Sequence, residues 1–159
     1  MGQEITLPKH IKVQIWNGHW TRQDAIDNPD KLFLFGGNVI QDFLQDNPLI
    51  PKSTQAVIRG LENAIPIMTK WTSGTNEAAY FRDIDDFQFQ FYLANAEDSI
   101  RASVVFDADP KTIVIPSKEN GIGTGTAYLQ QRSPKCWELL QEFLAPLYER
   151  AEKSVISEN

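Results

Sequence analysis

Apolar and polar positions along the chain predict four β-strands separated by helical segments. Residues 12–16 alternate polar and apolar side chains, as a first strand does. Residues 31–35 form a continuous apolar run, which is typical of a strand buried on both faces, and further strands are predicted over 64–70 and 111–116. Pro66 lies inside the third strand and predicts an edge position or a bulge, because proline donates no ladder hydrogen bond.

Helix signals lie between these strands. Thr21 predicts the N-cap of a short helix through Ile26, and a second short helical segment covers 39–44. Ser53 predicts the cap of a helix through Leu61, with Val57 and Leu61 turned inward.

The segment 83–106 fits two patterns. Phe87, Phe89 and Phe91 alternate with glutamines like a strand, whereas Phe87, Phe91 and Ala94 also fit a helix that Asp85 or Asp86 would cap. We favour a helix over most of the segment.

The last helix has the clearest pattern. Ser133 and Pro134 predict its N-cap and first position. Its apolar stripe is predicted at four positions spaced three or four apart, namely Cys136, Leu140, Phe143 and Leu147. The strands and helices together predict an α/β fold, a three-layer sandwich around a mostly parallel sheet of the Rossmann-like or macrodomain-like kind. The length of 159 residues predicts one domain over 1–153, followed by a frayed tail over 154–159.

Composition narrows the classes of function. The net charge of −6 disfavours general binding to nucleic acids, and no apolar run approaches the length of a membrane span. The single Cys136 excludes an internal disulfide and fits a reducing compartment, so we expect a cytoplasmic protein, in the host cytoplasm if a phage encodes it. The two histidines and the lone cysteine disfavour a structural zinc site, and we assign no metal ligands.

Candidate chemistry is concentrated where the predicted strands end. The fourth strand is followed by three glycines in five positions, Gly121, Gly123 and Gly125, with Thr124 between the last two. Such bare backbone can turn several N–H groups toward an anion, although a glycine-rich turn without a ligand fits equally well.

Other strand ends and the predicted helix add polar groups. Gly37 and Asn38 end the second strand, and Thr69 and Lys70 end the third. Arg59 lies four residues after Gln55, hence on the same face of the helix predicted to start at Ser53. Because ligands of parallel sheets bind beyond the carboxyl ends of the strands, these residues predict a site for a phosphorylated ligand. Each also has an ordinary structural interpretation, as a helix cap for Asn38 and as a solvated cation for Arg59 or Lys70.

The combined motifs resemble those of a group of small, uncharacterised phage and bacterial proteins. The resemblance covers about residues 31–145 and rests on six short motifs, Leu34-Phe-Gly-Gly-Asn38, Gln55-Ala-Val-Ile-Arg-Gly60, Asn63-Ala64, Thr69-Lys70, Gly121-Ile-Gly-Thr-Gly125 and Arg132-Ser-Pro134. Gly37 stands where the group tends to have Asp, and Ser53-Thr54 where it tends to have Gly-Gly. The resemblance implies no particular activity. A looser analogy, at the level of the fold, connects the glycine loop with ADP-ribose binding by macrodomains.

Three functions are compatible with the sequence. The first is binding of a nucleotide or an ADP-ribose-like phosphorylated ligand. The second is a protein-interaction module, such as a phage factor that binds a host protein, with Trp20 or Trp71 as surface anchors. The third is a metal-dependent hydrolase using Asp83, Asp85 or Asp86, although negative charge at a helix N-terminus explains these residues more simply.

Overall fold

The carboxyl ends of four parallel strands meet at one edge of a single sheet in the computed structural model. The described residues are 7–46, 49–52, 54–105, 112–124 and 127–157. The strands are β1 (Val13–Trp16), β2 (Lys31–Asn38), β3 (Ala64–Lys70) and β4 (Thr112–Pro116). Their order in the sheet is β1-β4-β2-β3, and each neighbouring pair is parallel. The predicted α/β fold with a parallel sheet is therefore confirmed.

The strand β3 forms an edge of the sheet, as Pro66 predicted. Pro66 lies opposite Phe35 of β2, and the register between the two strands shifts between Gly37 and Asn38. The strand β2 extends through Asn38, three residues beyond the apolar run, because Gly36, Gly37 and Asn38 continue to pair with β3.

In the described ranges, four α-helices connect and flank the strands. They are α1 (Arg22–Ile26), α2 (Asp86–Val105), α3 (Leu129–Arg132) and α4 (Pro134–Ser157). Thr21 caps α1 through a hydrogen bond from the backbone N–H of Asp24, and the hydroxyl of Ser133 accepts one from the N–H of Cys136. Both predicted helix starts are confirmed, because side-chain oxygens satisfy N–H groups that have no partner in the first turn.

Successive residues of a strand face opposite sides of the sheet and pack against two different layers. The side chains of Leu32 and Leu34 pack with α2 and α4, whereas Phe33 and Phe35 pack with Ala25 of α1 on the other face. The predicted stripe of the last helix is buried at all four positions, Cys136, Leu140, Phe143 and Leu147. The sheet thus lies between two long helices and a thinner layer of short elements.

Two predicted helices differ from the structure. The segment predicted as a helix from Ser53 through Leu61 contains only a 3₁₀ turn, Gln55–Ile58, whose N-cap is Thr54; Ser53 itself lies outside the described residues. Arg59 is the C-cap of this turn, so Gln55 and Arg59 do not share the face of an α-helix. Helix propensity was overridden here by burial of three consecutive side chains, Ala56, Val57 and Ile58.

The second difference concerns the orientation of α2. The segment is a helix, but Phe87 and Phe91 are exposed, and Phe89, Leu93 and Ile100 face the core instead. Asp86 is the first residue of the helix, and Asp85 caps the preceding turn by accepting a hydrogen bond from the N–H of Arg82. Among the described residues, none of the helices has the length and apolar character that crossing a membrane requires.

Candidate functional site

The ends of β2, β3 and β4 converge around Gly36. Its N–H donates to Oε1 of Gln55 at 2.9 Å, and Nε2 of the same glutamine donates to the carbonyl oxygens of Asn120 and Gly121. A Cβ atom on Gly36 would lie 3.6 Å from Oγ1 of Thr69. The structure therefore brings together Gln55, Thr69 and Gly121, three of the residues that the sequence assigned to one site.

Asn38 and Thr69 use their polar side chains within the protein. Oδ1 of Asn38 accepts from the N–H of Gln41 at 2.9 Å, and its Nδ2 donates to Oε1 of the same glutamine at 2.7 Å. Asn38 thereby caps a turn of π-helix, Val39–Phe43, which is the cap interpretation of its sequence position. The hydroxyl of Thr69 donates to the carbonyl oxygen of Gly37 at 3.2 Å.

Arg59 is buried in an ion pair with Asp42. Its Nε and Nη2 atoms lie 2.7 Å and 3.0 Å from the two carboxylate oxygens, and Nη1 donates to the carbonyl oxygen of Leu49. The carboxylate also accepts from the N–H of Asn38. It occupies the space beside Gly37, since a Cβ there would lie 2.9 Å from Cγ of Asp42. The guanidinium that the sequence assigned to a ligand thus faces an internal carboxylate.

The glycine loop is tied to the fold by packing. Gly123 has φ of +88°, and a Cβ on it would lie 2.9 Å from a methyl carbon of Leu140. Thr124 donates its hydroxyl to the carbonyl oxygen of Gly121 at 2.6 Å, and its N–H donates to the same oxygen. Gly125 lies outside the described residues. At Gly123, both the left-handed backbone and the close approach of the last helix require a residue without a side chain.

Lys70, the last residue of β3, is buried against an aromatic ring. Its Nζ lies 4.6 Å from the ring centroid of Tyr80 and donates to the carbonyl oxygen of Gly74 at 2.7 Å. Burial lowers the pKa of this ammonium. Among the described residues, no carboxylate forms an ion pair with it.

Arg132 approaches the same ring from the segment that follows the glycine loop. Its Cζ lies 4.3 Å from the Tyr80 centroid, and its Nη1 lies 2.5 Å from Oε1 of Glu77. Tyr128 lies beside Tyr80 with a centroid separation of 6.3 Å, is 50% exposed, and has φ of +46° and ψ of +35°. We call Lys70, Glu77, Tyr80, Tyr128 and Arg132 the Tyr80 cluster.

The Tyr80 cluster combines positive charge with aromatic surface. The hydrogen bond and the charge of Arg132 lower the pKa of Glu77, and the same contact raises the pKa of the Arg132 guanidinium. Arg132 pairs with the exposed carboxylate of Glu77, whereas no described carboxylate pairs with Lys70, so the cluster has a local positive charge in a protein whose net charge is −6. A left-handed tyrosine is an uncommon conformation that costs roughly 1–2 kcal/mol, and such residues occur preferentially at functional sites.

The acidic residues at the start of α2 accept hydrogen bonds from the start of α4 and pair with a lysine. Asp83 accepts from the Ser133 hydroxyl at 2.9 Å and from the N–H of Lys135 at 3.1 Å, and Asp86 lies 3.1 Å from Nζ of Lys135. In the described parts of the chain, no group of three His, Cys, Asp or Glu residues is arranged to hold a metal ion. These contacts favour the helix-terminus interpretation and give the hydrolase hypothesis no support.

Two tryptophans and the cysteine have structural contacts. Trp20 is buried and donates from Nε1 to the carbonyl oxygen of Gln55, so its predicted role as a surface anchor is wrong. Trp71 is partly buried against Phe81. Cys136 is buried, as predicted, and burial raises its pKa to about 11, which leaves little reactive thiolate at neutral pH.

Sequence reasoning missed most of the Tyr80 cluster. It selected Lys70 from its place at a strand end, and it included Arg132 only within a motif of the resemblance. Nothing in the local pattern around Tyr80 distinguishes it from an ordinary core tyrosine. Tyr128 follows the glycine loop by three residues, and an aromatic residue so close to a predicted anion loop was the one signal available.

Comparison with known families identifies the family of the chain. Residues 15–143 match the model of a family of unknown function, DUF7831, and the chain belongs to this family. The resemblance to an uncharacterised family is thereby confirmed, while its individual motifs and the analogy with macrodomains stay predictions. Comparisons with curated proteins and with solved structures give no match.

Proposed function

We propose that this member of a family without an assigned activity binds a small phosphorylated ligand carrying an aromatic ring, of the nucleotide or ADP-ribose class. The observation that supports this proposal is that Nζ of Lys70 and Cζ of Arg132 both lie within 5 Å of the Tyr80 ring centroid, beside the exposed ring of Tyr128. This cluster adjoins the carboxyl edge of the sheet. Parallel α/β folds bind their ligands at this edge.

Each group in the cluster has a chemical role in this proposal. Lys70 supplies a point charge for a phosphate, and Arg132 supplies a planar fork that can form two hydrogen bonds with it. The exposed face of Tyr128 offers a stacking surface for a purine or a nicotinamide ring. Glu77 holds Arg132 in place until an anion replaces it.

In this proposal the cations that bind the ligand are Lys70 and Arg132, whereas the sequence predicted Arg59 and Lys70. Asn38 and Arg59 are engaged with Gln41 and Asp42, and Gly37 and Gly123 contact internal side chains. Gln55, Thr69, Gly121 and Thr124 form the adjoining wall, where they hold the strand ends and the glycine loop together.

Calorimetric titration with ADP-ribose, ATP and NAD tests the proposal. We expect one of them to bind the wild-type protein, and we expect Arg132→Gln to weaken binding about 10-fold or more, because a charge-assisted contact is lost. Lys135→Gln is the matched control, since it removes one positive charge from an exposed pair outside the cluster. If no ligand binds, or if both variants weaken binding equally, the proposal is wrong.

A further inference from the structure

The surface beside α2 exposes an unusual set of large apolar side chains. We call this set the aromatic face. Its members come from the end of the π-helical turn, from the 3₁₀ turn Asp83–Asp85 and from the start of α2, and they are Phe43, Leu44, Ile84, Phe87 and Phe91. Phe87 is 79% exposed and Phe91 55%. The rings of Phe43 and Phe91 contact each other with a centroid separation of 6.0 Å, so two separate elements join in one surface.

Folding of the protein does not require these residues to be apolar. The core side of α2 is provided by Phe89, Leu93 and Ile100, whose side chains are almost fully buried. Phe87 and Phe91 lie on the opposite side, where an amphipathic helix ordinarily has polar residues. The five side chains together expose apolar surface on the order of 500 Å², near the upper end for a monomeric protein. The largest apolar patch of a monomer is often a functional surface.

The charges around the aromatic face indicate the chemistry of the partner. Between Arg82 and Arg101 the chain has five acidic residues and no basic one, and residues 39–51 contain Asp42 and Asp46 without a Lys or Arg. Lys135 neutralises Asp86, Arg59 neutralises the buried Asp42, and Glu97 is buried. The exposed acidic residues that remain are Asp46, Asp83 and Asp98. A second copy of this acidic chain would place like charges together, whereas a basic partner would be attracted.

The shape of the face matches a helix. Ile84, Phe87 and Phe91 are spaced three and four residues apart and extend over roughly 10 Å along the 3₁₀ turn and the first turns of α2. Phe43 and the neighbouring exposed Leu44 form a second ridge, which meets the first where the rings of Phe43 and Phe91 contact each other. The ring of Tyr92 contacts both of these phenylalanines. Apolar anchors at such spacing are what an amphipathic helix inserts into a groove.

We propose that the aromatic face docks a basic amphipathic helix of another protein. The helix would place its apolar side between the two ridges and its Lys or Arg residues toward Asp46, Asp83 and Asp98. This proposal is independent of the ligand proposal, because it uses none of the residues of the Tyr80 cluster.

Selection from a displayed library tests the proposal. The library contains helical peptides of about 20 residues with fixed apolar positions and randomised charged positions, and the full-length protein is the bait. We expect enrichment of Lys and Arg over Asp and Glu, and we expect Phe87→Ser and Phe91→Ser to weaken the selected peptides ~10-fold. Ile26→Ser is the matched control, since Ile26 is an exposed isoleucine on α1, away from the face.

Three results would overturn the proposal. They are failure to enrich any peptide, enrichment of acidic or uncharged peptides, and equal binding by the wild-type and Phe87→Ser proteins. A dimer in sedimentation that Phe87→Ser dissociates would instead assign the face to a second copy. Phe87→Ser is the decisive variant, because Phe87 is 79% exposed and the thermal unfolding of this variant is expected to match that of the wild type. Phe91→Ser also removes ring contacts with Phe43 and Tyr92, so its thermal unfolding is measured alongside its binding.

Discussion

Arg59 and Asp42 form a two-pronged ion pair inside the protein, with side chains that are only 8% and 3% exposed. The pair joins the C-cap of the 3₁₀ turn to the π-helical turn after β2. Since the third group bound by the carboxylate is the N–H of Asn38, the pair also fixes the end of β2. The ion pair therefore orders the end of β2, to which the adjoining wall of the proposed site is hydrogen-bonded.

Removing the carboxylate should strongly destabilise the fold. We expect Asp42→Ala to lower the free energy of unfolding by about 3–5 kcal/mol, because it leaves the Arg59 charge buried without a counterion. Urea unfolding at pH 7 measures this value, and Asp46→Ala, which removes an exposed carboxylate nearby, provides the control. A loss below about 1 kcal/mol for Asp42→Ala would contradict the assignment of a buried pair.

Two adjacent glycines should respond differently to alanine. A Cβ on Gly36 meets its neighbours at 3.5 Å or more, whereas one on Gly37 collides with the Asp42 carboxylate and lies 3.0 Å from Cβ of Pro66. We expect Gly37→Ala to cost about 1–3 kcal/mol through overpacking and Gly36→Ala clearly less.

The cause of the Gly37 effect can be isolated by a double-mutant cycle. In an Asp42→Ala background the carboxylate is gone, so Gly37→Ala should cost less there than in the wild type. Urea unfolding of the four proteins gives the coupling. Equal costs in both backgrounds would show that the collision with Asp42 is not what requires glycine.

Lys70 should reduce stability at neutral pH. Burial lowers its folded-state pKa below that of the unfolded chain, so the desolvation penalty is complete below the folded pKa and is relieved as the pH rises toward 10.5. We expect Lys70→Met to raise the free energy of unfolding at pH 7 and to raise it by less near pH 10. Chemical unfolding at both pH values tests this, with Lys135→Met as an exposed control. A lower free energy of unfolding for Lys70→Met would contradict the prediction, because it would show that the contacts of the ammonium outweigh its desolvation.

Glu77 should compete with an anionic ligand for Arg132. Its carboxylate is mostly exposed and pairs with the guanidinium at 2.5 Å. We expect Glu77→Gln to tighten binding of the ligand found by calorimetry about 2- to 10-fold, because the anion no longer displaces a charged partner. Glu149→Gln, which removes a carboxylate from an exposed pair on α4, should leave affinity unchanged. Weaker binding by Glu77→Gln would place the carboxylate among the ligand's own contacts.

Tyr148 should make the fold sensitive to alkaline pH. Its hydroxyl donates to the carbonyl oxygen of Pro116 at 2.7 Å, and burial raises its pKa to about 12. Because the folded pKa exceeds the unfolded value of about 10, this contribution is complete below pH 10 and is lost as the pH rises toward 12. We expect Tyr148→Phe to cost about 1 kcal/mol at pH 8 and less at pH 11. A pH-independent difference in unfolding free energy would contradict this.

The sequence determined the parts of the structure that depend on neighbouring residues. Apolar runs defined the four strands, Pro66 marked the edge strand, and Thr21 and Ser133 marked two helix starts. These features follow from the period of apolar residues and from capping, so a single stretch of chain contains the information.

The tertiary structure alone decided which side chains of the candidate site meet. Asp42 lies 17 residues from Arg59, Glu77 lies 55 residues from Arg132, and Gln55 reaches a loop 65 residues away. Phe87 and Phe89 are both helical phenylalanines, yet packing against the sheet buries only Phe89. Charge pairing and burial depend on how distant segments fold together, and no local pattern encodes that arrangement.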